Sequence, residues 1–194
     1  MKPSLRALVI VLLAASCGGG GYDAPPRSNL DDACAIIRER PEYYRAFKRV
    51  ERKWGVPVHV QMATIHQESK FDGDARTPFR YSLGVIPIGR QSSAFGYSQA
   101  LDGTWEEYQD QQGGRRTRRD RIDDATDFMG WYMVKSRDSL GISLWDARNQ
   151  YLAYHEGRTG FSRGSYNQKA WLVRVADKVN SRAAMYQAQL VRCR

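Results

Sequence analysis

Histidine, cysteine and long apolar runs are what this 194-residue chain has least of. The three histidines, His59, His66 and His155, are not spaced as a metal-binding set. Cys34 and Cys193 lie far from them in sequence, so no metal is expected, and no cofactor either. The apolar run at residues 7–15 is too short to span a bilayer. No stretch alternates apolar and polar residues over a sustained length, which leaves little room for sheet. There is no internal repeat, and so no solenoid or repeat architecture.

What is present is ordinary for one globular domain. Hydrophobic residues make up 42% and charged residues 26%, and the length suits a single core. Eleven Tyr and five Trp exceed the needs of a small core. Aromatic rings fill cores, and they also pack against the C–H faces of sugars. The formal charge is +9. Loss of Lys2 and Arg6, which lie in a segment expected to be removed, would leave +7. Such a chain is drawn to polyanions, either nucleic acid or a cell wall rich in peptide carboxylates. Charge alone leaves both open.

Lys2 and Arg6 precede the apolar run, which ends in Ala14-Ala15-Ser16-Cys17. Basic, apolar and small-residue regions in that order read as a signal peptide over residues 1–16. Small residues before a cysteine resemble a bacterial lipobox, which would make Cys17 an acylated first residue and a membrane anchor. Plain cleavage with an incidental cysteine is the alternative. The first reading implies the periplasmic face of the outer membrane, the second a soluble periplasmic protein. Residues 17–30, rich in Gly and with Pro25-Pro26, read as a flexible tether, and residues 31–194 as the folded domain. Export would permit a disulfide between Cys34 and Cys193 that staples the two ends of the domain; two free buried thiols are the alternative.

Within the domain the pattern is helical. Asp31 or Asp32 can cap a short helix through Arg38, and Pro41 opens a second that ends before Gly55. Pro57 starts a third that runs to about Ser69, with Val58, Met62 and Ile65 on one face. Residues 70–94 read as a long loop. Thr104 can cap a helix carrying Trp105 and Tyr108, residues 113–121 form an Arg-rich loop, and Asp123 can cap a long helix ending near Gly141. A helix from about Leu144 to Glu156 carries Ala147, Tyr151 and Tyr154. Residues 157–165 read as a loop, and Asn167 opens a last helix with Trp171, Leu172, Val175 and Val179 as its buried stripe.

Glu68 continues the apolar stripe of the third helix, three residues after Ile65. Burial there disfavours the carboxylate, and so does the negative end of the helix dipole. A carboxyl kept protonated near neutral pH is what a general acid requires. A Glu paired with one of the many arginines would look the same in sequence.

The surrounding segments add a resemblance. His66-Gln67-Glu68-Ser69-Lys70-Phe71 resembles the Glu-Ser motif of the soluble lytic transglycosylase (SLT) family, Ala94-Phe95-Gly96-Tyr97-Ser98-Gln99 its Gly-Leu-Met-Gln motif, and Ala153-Tyr154-His155-Glu156-Gly157 its Ala-Tyr-Asn-Ala-Gly motif. They occur in the family's order, and the resemblance covers about residues 43–179. It implies a single all-α, lysozyme-like domain that cleaves peptidoglycan glycan strands. Glu68 would protonate the glycosidic oxygen leaving MurNAc and the sugar's own N-acetyl group would stabilise the cation-like centre. Glu68 would then take the proton of the MurNAc 6-hydroxyl as it closes a 1,6-anhydro ring. The resemblance also implies that Tyr154 hydrogen-bonds Glu68, that Ser69 and Gln99 contact the sugar, and that Tyr97, His155 and Glu156 belong to the substrate site.

The departures are Tyr97-Ser98 for Leu-Met, His155-Glu156 for Asn-Ala, and an insertion at residues 81–90. Glu156 could activate water, giving a goose-type-like muramidase, or could pair with Arg158 or Arg163. A non-catalytic wall-binding lipoprotein is a further alternative. The arginines at 115, 116, 118, 119 and 121 read as a solvated loop, or one touching wall carboxylates, rather than a nucleic-acid arm. The chain is expected to act as a monomer on peptidoglycan, without nucleic acid.

Overall fold

The computed structural model describes residues 25–193. The signal peptide, Cys17 and most of the tether lie outside the described residues. The chain is 62% helical, with seven α-helices and one two-stranded sheet among the described residues, an all-α lysozyme-like domain.

Helix α1 spans Ala33–Glu39, and the Asp32 carboxylate caps it by accepting from the Ala35 amide at 2.9 Å. Helix α2 spans Pro41–Trp54 and stops at Gly55, whose φ of 75° is the left-handed conformation glycine tolerates. Helix α3, Val58–Ser69, differs from the one-sided helix that its spacing suggests. It is buried on nearly every side, because α2, α5 (Ile122–Leu140), α6 (Ala147–Ser162) and α7 (Ala170–Leu190) all pack on it. Two of its buried polar side chains donate inward, while the Gln61 amide oxygen is left without a partner among the described residues. The Gln61 amide donates to the Phe47 and Val56 carbonyls at 3.1 and 2.7 Å, and Thr64 Oγ1 donates to the Val60 carbonyl at 2.9 Å.

Helix α4, Asp102–Tyr108, runs into a π turn over Gln109–Gly113. Trp105, Tyr108, Phe128, Trp131 and Tyr132 form an aromatic cluster between α4 and α5, with Tyr154 packed against it. Asp127 ties this cluster to α2. Its carboxylate accepts from Trp54 Nε1 and the Tyr108 hydroxyl at 2.8 Å each, and from Lys53 Nζ at 2.9 Å.

Three expectations shift. Residues 70–94 contain an antiparallel hairpin, β1 (Phe79–Ser82) and β2 (Ile86–Arg90), which the sequence hid because neither face is buried and Pro87 and Gly89 interrupt the pattern. Residues 157–162 continue α6 across a kink at Gly157 (φ 73°, ψ 158°) rather than forming a loop. The last helix begins at Ala170, and Trp171 is half exposed while Leu172, Ala176, Val179, Ala183 and Tyr186 form the buried stripe.

Cys34 and Cys193 are joined by a disulfide with a Cα–Cα distance of 5.2 Å. Gln189 reinforces the closure, accepting from the Ala33 amide at 2.8 Å and donating to the Asp31 carbonyl at 2.9 Å.

Candidate active site

Glu68 sits in the last turn of α3, just before the backbone turns sharply. Lys70 and Phe71 both take left-handed conformations (φ 55° and 62°), unusual for side chains that carry a Cβ. Phe71 is fully buried and stacks on Tyr43 at 5.9 Å, which holds that turn in place. The Glu68 carboxyl is partly covered, but the atoms crowded around it remove most of its hydration. Desolvation raises its pKa from the usual carboxylate value to about 7, against a hydrogen bond from Tyr151 and the nearby charge of Lys70.

The tyrosine that favours the charged form of Glu68 is Tyr151 rather than Tyr154. Both lie on α6, three residues apart and so on one face. Tyr154 faces Glu68 closely enough for the carboxylate to help raise its own pKa, after desolvation, but its hydroxyl donates to the Ser98 carbonyl at 2.6 Å. Tyr154 thus fastens α6 to the second motif. Sequence reading placed Tyr151 in the helix's inward line without a role; its position one turn from Tyr154 was the available signal.

The second motif is held as a rigid loop. Gly96 has φ 77°, and a Cβ there would lie 2.1 Å from the Arg119 carbonyl oxygen, so only glycine fits. The Arg119 guanidinium donates to the carbonyls of Ser93 and Ala100 at 3.1 and 2.8 Å, and to Asp102 at 2.6 Å. Arg119, expected in a solvated loop, is a clamp on the site; Arg118 pairs with Asp120 at 2.5 Å. Gln99, itself at φ 49°, donates its amide to the Ala75 and Gly96 carbonyls at 2.9 and 2.8 Å, which fixes its side chain at the cleft.

Tyr154 and Gln99 line a cleft of about 230 Å³ together with Leu101, Thr104, His155 and Glu156. Tyr97 does not reach it. Its ring is fully buried, packs edge-on to Tyr43 and has its hydroxyl 3.0 Å from that of Tyr43. A hydroxylated ring in place of an aliphatic side chain there serves the core rather than the sugar. Ser69 is also buried and donates to the Ile65 carbonyl at 3.3 Å, back into its own helix. His155 is exposed and packs edge-on against Trp171 at 5.2 Å.

Glu156 is engaged on both oxygens. Lys169 Nζ lies 2.8 and 3.0 Å away, Ser165 Oγ donates to Oε2, and His155 Nδ1 is 3.2 Å from Oε1. Desolvation would raise its pKa, but these partners outweigh it and hold the carboxyl at about 2. The partner expected from sequence, Arg158 or Arg163, is replaced by Lys169 because the kink at Gly157 carries the chain on towards α7.

A larger pocket of about 560 Å³ lies between α3 and α7, lined by His66, Lys70, Asp31 and Arg182 among others. Ala63 and His66 share one face of α3, with Lys70 just past its end, while Glu68, two residues after His66, lies towards the other side of the helix and does not line this pocket. Desolvation pushes His66 down to about 4, helped by the charges of Lys70 and Arg182.

A desolvated carboxyl with a pKa near neutral, acted on by Tyr151 and close to the Tyr154 that lines the cleft, is suited to general-acid chemistry. The family model described as "Transglycosylase SLT domain" matches residues 5–193. The chain belongs to the transglycosylase SLT domain family. That membership makes it a peptidoglycan-cleaving domain of lytic transglycosylase type, with peptidoglycan as its substrate. No curated protein matches the chain. Within the SLT framework Tyr154 on α6 connects the three motif segments: it lies near enough to Glu68 of α3 to feel its charge, its hydroxyl donates to the Ser98 carbonyl, and it lines the cleft with Gln99.

Proposed function

We propose that the protein cleaves the MurNAc–GlcNAc β-1,4 bond and leaves a 1,6-anhydroMurNAc end, with Glu68 as general acid and then general base. The observation that carries the reading is the Glu68 pKa of about 7. At that value half the population can donate a proton at neutral pH, and the conjugate carboxylate is basic enough to accept one. The proton of Glu68 goes to the glycosidic oxygen as the C1–O bond breaks. The N-acetyl carbonyl of the same MurNAc supports the electron-poor C1. The 6-hydroxyl then bonds to C1 and returns its proton to Glu68, so the enzyme ends as it began and water is not consumed. A single carboxyl suffices because the sugar supplies the second nucleophilic group.

Glu156 supports this over hydrolysis. A carboxylate held near pKa 2, with both oxygens engaged by Lys169, Ser165 and His155, is a poor base for activating water. Gln99 and Tyr154 shape the cleft for the sugar, and His155 beside half-exposed Trp171 offers a polar and an aromatic contact at its rim. The basic N-region, apolar run and Cys17 support export and lipid anchoring at the periplasmic face of the outer membrane.

The test is digestion of purified sacculi with mass analysis of the released fragments. Fragments ending in 1,6-anhydroMurNAc are expected. Reducing MurNAc ends would replace the reading with a muramidase, and tight binding without release would replace it with a wall-binding lipoprotein.

A further inference from the structure

The hairpin of β1 and β2 packs on nothing. Every residue of both strands is exposed, and the exposed side chains are large and apolar: Phe79, Tyr81, Leu83, Val85, Ile86 and Ile88. Leu83 and Val85, at the apex, are 89% and 75% exposed. An isolated two-stranded ribbon is marginal in water, and large apolar side chains exposed on both its faces and its apex mark an interaction site. The apex sharpens the point. Leu83 adopts φ 50°, a conformation that Asn or Gly would take at lower cost, with Gly84 following at 76°. Turn chemistry does not ask for leucine there, so the side chain has a use outside the fold.

We propose that this hairpin is a membrane-docking loop that inserts its apex into the interface of a lipid surface carrying anionic headgroups. Three features favour lipid over other occupants. The apolar groups increase towards the apex of a convex turn, the geometry of insertion into a fluid phase. The charges lie at the open end: Arg80 pairs in register with Gly89, and Phe79 with Arg90, whose guanidinium lies 4.3 Å over the Phe79 ring. With the apex down, these arginines and the aromatic Phe79 and Tyr81 sit at headgroup level. Charge is also of one sign. Residues 77–101 contain Arg80 and Arg90 and no Asp or Glu, which complements an anionic surface, while Arg76 below them pairs with Asp74. A glycan would meet branched aliphatic side chains that cannot bond its hydroxyls. A second copy of the chain would bring the same arginines into opposition.

The hairpin is built to transmit position. Thr77 and Ser92 clamp its base through bonds of 2.9 and 3.2 Å, Arg90 donates to the Thr77 carbonyl at 2.7 Å, and Arg76 packs over Phe95 at 3.9 Å, next to Gly96. Docking would hold the cleft in one orientation above the lipid, whether or not Cys17 is acylated.

The experiment uses the full chain with Cys17→Ser, so that no acyl group contributes, and Ser82→Cys carrying an environment-sensitive fluorophore on its one free thiol. A second chain carries the label through Ser139→Cys, on exposed α5 surface. Vesicles of phosphatidylethanolamine with phosphatidylglycerol should blue-shift and brighten the label at position 82 and not at 139. Phosphatidylcholine vesicles should do so far less. Leu83→Asp with Val85→Asp should abolish the change, and Arg80→Glu should weaken vesicle binding by about tenfold or more. No response to either vesicle overturns the proposal. So does a shift that appears without lipid as protein concentration rises, with dimers in sedimentation, or a shift produced by sacculi alone.

Discussion

The Tyr151 hydroxyl on α6 acts on the carboxyl of Glu68 at the end of α3 and favours its charged form. That interaction limits how far burial can raise the Glu68 pKa. It also orients the carboxyl proposed to move the proton. Tyr151→Phe keeps the packing and removes both effects. The basic limb of the pH–activity profile should move up by about one unit, and the maximal rate should fall by about tenfold. An unmoved profile would leave Tyr151 with packing alone.

Replacement of Glu68 by Gln should abolish cleavage of sacculi. It should also stabilise the fold, in a pH-dependent way. The folded pKa of about 7 lies above the ordinary carboxylate value, so the folded chain keeps a proton that the unfolded chain releases. Stability is therefore lost as pH rises from the unfolded value through 7. Thermal unfolding should show the variant a few degrees above wild type at pH 8 and level with it at pH 4. Equal midpoints at pH 8 would mean that the carboxyl is not strained.

Glu156 has the opposite sign. Its pKa of about 2 lies below the unfolded value, so its contribution is present above the unfolded value and disappears as pH falls towards 2. Glu156→Gln loses the ion pair with Lys169. It should cost about 1–2 kcal/mol at neutral pH, measured by urea unfolding, and retain anhydro-product formation. Loss of cleavage with stability intact would instead make Glu156 part of the chemistry.

Arg119→Ala removes the donors that hold the Ser93 and Ala100 carbonyls and the Asp102 side chain. Gly96 and Gln99 then lose their frame. KM for soluble glycan fragments should rise severalfold while the Glu68 pH limb stays in place, since Arg119 does not approach that carboxyl. Amide exchange at residues 96–100 should accelerate in parallel.

Much of the site was legible in the chain because its residues fall within short segments. Glu68 stood out as a carboxylate in an apolar stripe, and the helices before and after it were marked by Pro41, Gly55, Pro57 and Gly141. Tyr97 and Ser69 were misread for one reason. A motif names neighbours along the chain, but whether a side chain faces a cleft or the core depends on the backbone turn that follows, and here Lys70, Phe71 and Gln99 take left-handed conformations that propensity does not foresee. Arg119 was hidden in a run of arginines whose members look alike until one of them finds carbonyls to bind.

The sequence alone determined the helical class and the membership of the three motif segments in one family, and it singled out the candidate acid, because periodicity, caps and motif order are local properties. Tertiary structure decided that Tyr151 rather than Tyr154 braces Glu68, that Lys169 locks Glu156, and that an apolar hairpin stands clear of the fold. Those outcomes depend on which elements meet across the domain, and the distances that set hydrogen bonds, desolvation and exposure exist only after α3, α6 and α7 have packed.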